Sequence, residues 1–171
     1  MILPKIRDRR FTTIRRGGLL TPETHFILAI WAANCATRVL PLFEISHPND
    51  SRPRAAIDST FAWTRGEISM TQARIAAFHS NAAASAIKGA GRFAAYSAGQ
   101  AVAVAHVAAH YLGAAAYALK AIQENTNKEN SKELMKAEWE WQINALPEEL
   151  KPLVLEDQRN RNPICWNVFF E

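Results

Sequence analysis

His106-Val107-Ala108-Ala109-His110 sets two imidazoles one helical turn apart, the spacing with which a helix grips a metal ion. The metalloprotease version of this pattern places a general-base Glu directly after the first His, and here Val107 holds that position with no third ligand at a readable spacing. The pair is therefore read as structural, each ring hydrogen-bonded inside a helical body, and neither metal nor other cofactor is expected. His25 and His79 lie on other helical segments and could face the same interior. Cys35, next to Asn34, could be a nucleophile, but a cysteine inside a helix usually behaves as a small buried apolar residue. Gly89-Ala90-Gly91-Arg92 lacks the Lys-Ser/Thr end of a phosphate-binding loop and follows no strand. The carboxylates Glu23, Glu44, Asp50, Asp58 and Glu67 are too scattered to hold two metal ions. No residue emerges as catalytic.

Binding chemistry is better represented. Arg52, Arg54, Trp63, Arg65 and Glu67 form a basic and aromatic group. It is either a set of ion pairs with Asp50, Asp58 and Glu67 around a core tryptophan, or a partner surface anchored by Arg and Trp. Glu133, Glu138 and Glu140 form a separate acidic group. The net charge of +4 is unevenly distributed: residues 1–20 carry +5, residues 21–122 carry +3 and residues 123–171 carry −4. The basicity thus belongs to an N-terminal arm, Lys5 to Arg16, and a nucleic-acid-binding module using that arm is the alternative to a protein-binding one.

The elements that must position these residues are helical. Residues 1–20 read as an arm ending in Arg15-Arg16-Gly17-Gly18. Thr21-Pro22-Glu23 starts a helix that Pro41 kinks or ends. Asp50 or Ser51 caps a second helix, which runs to Gly66 with Arg54 and Asp58 as an i,i+4 pair. Ser69-Met70-Thr71-Gln72 has capping-box spacing for a third, with Ile75, Phe78, Ala82 and Ala86 on its dry face and Arg74, Asn81 and Lys88 on its wet one. From Gly91 to about Gln123 comes one long Ala-rich helix, or two broken near Gly113. Tyr96, Gly99, Ala103, His106, His110, Gly113 and Tyr117 share one stripe, which makes His106, His110 and Tyr117 candidates for a polar core. Ser131 is expected to cap the last clear helix, and after Pro147 the signal fades into a tail, residues 151–171, packed on the body of residues 21–150.

Composition agrees with this pattern. Thirty of the 171 residues are Ala, 21 of them in the 49 positions from Ala73 to Ala121; alanine favours helix over strand and allows helices to pack closely. The length suits one domain without staples. The expectation is an all-α single-domain bundle of five or six helices around a long Ala-rich central helix, residues 91–123. Two cysteines are too few for a disulfide scaffold and are read as reduced. No apolar h-region follows Met1, so the expected location is cytoplasmic. The 27 uncharged residues between Arg92 and Lys120 are mostly small, which suits a buried helix better than a membrane span.

Several strings are also familiar as a set: Ile14-Arg15-Arg16-Gly17-Gly18, Trp31-Ala32-Ala33 through Cys35-Ala36, Leu40-Pro41-Leu42-Phe43-Glu44, Arg52-Pro53-Arg54-Ala55-Ala56-Ile57, Ala62-Trp63 with Arg65-Gly66-Glu67, Ala105 to His110, and Gly113 to Ala118. In this order, between residue 14 and about 146, they resemble a bacterial family of immunity proteins of polymorphic toxin systems, related to the fifth immunity-protein family. The chain departs from that pattern at Asn34, Ser46 and Phe61. The resemblance implies a small helical domain that binds and blocks a cognate toxin without catalysis.

Overall fold

The computed structural model describes residues 2–170. Among these there is no strand, only an isolated bridge between Thr13 and Leu20, and the all-α, single-domain expectation holds. The helices are α1 (Pro22–Val39), the single turn α2 (Pro41–Glu44), α3 (Arg52–Thr64), α4 (Met70–Ser85), α5 (Ala90–Ala103), α6 (Tyr111–Asn125), α7 (Lys128–Asn144) and α8 (Lys151–Arg161).

Their ends follow local chemistry. Thr21 Oγ1 accepts the Thr24 N–H at 3.2 Å, with Pro22 in the first turn of α1. Asp50, not Ser51, takes the Arg52 N–H at the start of α3. Gly66, at φ +74°, provides the left-handed residue just beyond α3. The capping box at α4 forms in both directions, Gln72 N–H to Ser69 Oγ at 3.2 Å and Ser69 N–H to Gln72 Oε1 at 2.8 Å. For α7 the cap is Asn127, which accepts the Asn130 N–H at 3.2 Å; the expected cap, Ser131, is buried within the helix and donates to Met135 Sδ.

The Ala-rich segment is an antiparallel hairpin, α5 against α6, turning at residues 104–110 rather than near Gly113. A single helix from Gly91 to Gln123 would be about 50 Å long, longer than a compact chain of this size is wide, about 40 Å. Folding back instead buries alanine against alanine. Ser97 Oγ donates to the Ala114 carbonyl at 2.7 Å, and Tyr96 and Phe93 both stack on Tyr117. The expected stripe is therefore split: Tyr96 of one helix faces Tyr117 of the other, Gly113 lies against Gln100, and Gly99 turns instead to Asn81 and Ala77 of α4. Helix α1 packs on both arms of the hairpin, α3 and α4 cover α5, and α7 covers α6. The stretch Pro22–Glu44 is long and apolar enough to cross a membrane by length and composition, and 56% of its most apolar window is buried here.

On helix α4 and just beyond it the expected wet-face residues Arg74 and Lys88 are exposed, but so are Ile75, Phe78, Ala82 and Ala86, expected on the dry face. Ala73, Ala77, Ser80, Ala83 and Ala84 are buried, whereas Ile75 and Phe78 are 49% and 58% exposed. Small side chains win the inner face because α4 lies so close to α5 that Ser80 Oγ reaches the Ala95 carbonyl at 2.8 Å, an approach that Ile and Phe would prevent.

Helix α8 is absent from the sequence reading because its inner face is polar. Val154, Asp157, Gln158 and Arg161 are the buried residues. Tyr111 Oη donates to Asp157 Oδ2 at 2.7 Å, Arg161 Nη1 donates to the same oxygen at 3.0 Å, and Arg161 Nη2 donates to the Ile2 carbonyl at 2.9 Å. This network ties α6, α8 and the first residues of the chain together.

Candidate functional site

The arm is folded against the bundle. Phe11 is buried and stacks on Tyr111 with ring centroids 5.0 Å apart, and Arg10 forks between Asp8 and Glu156 at 2.6 and 2.9 Å. Leu20 N–H donates to the Thr12 carbonyl, Ile14 N–H to the Leu20 carbonyl and Gly18 N–H to the Thr13 carbonyl, which closes residues 12–20 into a loop. Gly17 turns that loop at φ +79°, and Gly18 lies so close to the Thr12 backbone that a Cβ would collide with it. Arg15 and Arg16 stand exposed at its tip.

Between this loop, the start of α1, the end of α3 and the α5–α6 turn lies a cleft of about 610 Å³. Arg7, Arg15 and Arg16 line one side, with His106 at the turn; Phe26, Trp63, Pro22 and Leu20 supply apolar and aromatic wall. Trp63 meets Phe26 and His25 edge-on at 5.1 and 5.0 Å. Arg7, Arg15 and Arg16 have no ion-pair partner among the described residues.

The histidines are partly explained by the same cleft. His25 Nε2 donates to the Val104 carbonyl at 2.7 Å, which fixes the neutral tautomer; burial lowers its pKa and this bond partly restores it. His110 Nδ1 donates to Gln100 Oε1 at 2.8 Å, and burial first, then the neighbouring His106 and the Arg161 and Arg7 charges, press its pKa down to about 3. His106 stands 5.2 Å from His110, and its buried Nδ1 has no hydrogen-bond partner. Burial lowers its pKa, helped by the charges of Arg74, Arg16 and Arg7. His79 is exposed on α4, away from these rings. Among the described residues no third His, Cys, Asp or Glu joins the pair in a metal-holding group. Tyr117, the third expected core polar residue, lies half-buried between Tyr96 and Trp166.

The surface singled out on α3 is different in kind. Arg52 pairs with Asp50 at 2.6 Å, Arg65 with Glu67 at 2.6 Å, and Arg54 with Glu44 of α2 at 2.6 Å rather than with Asp58. Trp63 does not stand with them on the outer side but turns into the cleft. In the acidic group, Glu133 and Glu140 are exposed, but Glu138 is only 5% exposed beneath Arg38, which donates to it at 2.8 Å. The position falls on the inner face of α7, and burial raises the Glu138 pKa while Arg38 opposes the shift. Sequence reasoning missed the cleft because Trp63 lies about fifty positions from the arm arginines, and no local pattern announces the docking of that arm on Tyr111. Arg74 was expected to be exposed on α4, but the apolar Ile75 and Phe78 that stand exposed beside it were missed, because they were assigned to the dry face.

A sequence model of the family described as "Imm-5 like putative immunity protein" matches residues 18–149. No curated protein and no solved structure matches the chain.

Proposed function

The chain belongs to the Imm-5 like family of immunity proteins, and we propose that it binds and neutralises a cognate toxin of a bacterial polymorphic toxin system, in the cytoplasm and without catalysis. The observation that carries this reading is the family match, which spans the helical body from the end of the arm to beyond α7. Inhibition would be by occlusion: a rigid bundle presents a fixed surface that covers the toxin's active site.

The surface that fits a protein partner best is the outer face of α4. Met70, Ile75 and Phe78 are 43%, 49% and 58% exposed, with Arg74 lying over the Phe78 ring at 5.5 Å. Met, aromatic and Arg side chains around an apolar centre are the composition enriched in protein interfaces. The α3 pairs Arg52, Arg54, Arg65 and Glu67, and Glu133 with Glu140 on α7, are second-rank surfaces, because paired or solvated charges gain little from a new partner.

The test is co-expression with each toxin domain encoded by the same host. Survival should be restored for one toxin, with a stoichiometric complex on gel filtration. Phe78→Asp should abolish both at unchanged thermal stability, while Arg54→Ala should leave both intact. Failure to rescue from any of these toxins would remove the reading; rescue insensitive to Phe78→Asp would move the contact off α4.

A further inference from the structure

We propose that the cleft between the arm and the α5–α6 turn is a binding site for a nucleoside phosphate, with the phosphate held by Arg7, Arg15 and Arg16 and the base against Trp63 and Phe26. The inference goes beyond toxin binding and does not depend on it.

Three observations converge. The first is charge: three guanidinium groups without carboxylate partners among the described residues line one opening, two of them, Arg15 and Arg16, on a loop fixed by its own backbone bonds. Their mutual repulsion is relieved by an anion. Arg forks suit phosphate, whose oxygens accept from several donors at once. The second is the wall: Phe26, Trp63 and Pro22 would stay wet beside a purely polar anion, so the ligand needs a flat apolar part, and a base stacks on aromatic surfaces regardless of its identity. The third is size: about 610 Å³ is within the range of pockets that take a compact ligand. The His106 side chain also lines the cleft, beside the arginines.

The experiment is calorimetric titration of the full chain with adenosine 5′-monophosphate, adenosine and inorganic phosphate separately. The nucleotide should bind with one-to-one stoichiometry and at least about tenfold more tightly than either fragment. The double variant Arg15→Ala/Arg16→Ala, altered only at exposed loop-tip positions, should weaken it at least about tenfold, and Trp63→Leu should weaken it as well. Arg54→Ala, at an arginine already paired with Glu44, should change nothing. Should Trp63→Leu melt early, the arginine pair still decides the matter. A short single-stranded oligonucleotide separates the two sources of the same chemistry: binding through one end, lost in the arginine variant, makes a strand end the natural ligand, and weaker binding than the mononucleotide makes it the free nucleotide. The proposal is overturned by no saturable heat at millimolar nucleotide, by phosphate alone binding as tightly, by nucleotide binding indifferent to the arginine pair, or by a Glu-rich peptide that displaces the nucleotide and binds more tightly.

Discussion

Two groups of arginines, three on α3 and its flanks and three on the arm, have the same formal charge and opposite electrostatic standing. Arg52, Arg54 and Arg65 each hold a carboxylate at 2.6 Å, so their field is largely cancelled within a few ångströms. Arg7, Arg15 and Arg16 hold none among the described residues and converge on one concavity. The difference comes from geometry rather than composition. Around α3, Asp50 and Glu67 sit two residues from their partners and Glu44 arrives from the preceding turn. The arm's one carboxylate, Asp8, is taken by Arg10. Counting charges along a chain therefore finds basic segments but not available cations.

The largest effect should come from removing what the arm rests on. Asp157→Ala leaves Arg161 charged and buried without its partner and should cost about 3–5 kcal/mol in chemical denaturation. It should loosen the arm, and with it the cleft, while the α3 pairs survive. Retention of full stability would show that the Tyr111–Asp157–Arg161 network does not hold the arm in place.

Next in size is a pH effect confined to the cleft side. His110 has a folded pKa of about 3, against 6.5 in an open chain. As pH falls below 6.5 the unfolded chain takes up a proton that the folded one refuses, so stability declines on acidification. From pH 7 to 5 the loss should be on the order of 1–2 kcal/mol, with His25 and His106 acting in the same direction. His110→Gln should flatten the profile, and an unchanged slope in that variant would place the titration elsewhere. Smallest is the α3 side: Arg54→Ala, breaking an exposed pair, should shift stability by less than about 1 kcal/mol.

What was legible in the sequence followed from local rules. Thr21-Pro22 and the Ser69–Gln72 box mark real helix starts, and the alanine density marks the paired core helices, because capping and propensity act over a few residues. Three features were not legible. The inner face of α4 was misplaced because close packing selected Ala and Ser over Ile and Phe, an outcome set by the neighbouring helix. Helix α8 was invisible because its buried face is Asp157, Gln158 and Arg161, which reach Tyr111, Trp139 and the Ile2 carbonyl, partners far away in the sequence. Of the site, Trp63 and the arm arginines were each noticed, but what joins them is Phe11 docking on Tyr111, a contact a hundred residues apart.

The two thiols divide the molecule along a similar line. Cys35 lies in the middle of α1, fully buried, and Cys165 in the C-terminal turn, also buried. Burial pushes both thiols up, Cys165 to about 11, so neither is reactive while its surroundings stay closed. Each is then a clock started only by opening. If the tail peels away before the bundle parts, an alkylating reagent will mark Cys165 first and Cys35 only on global unfolding, and the gap between the two labelling rates reads how independently the C-terminal segment breathes.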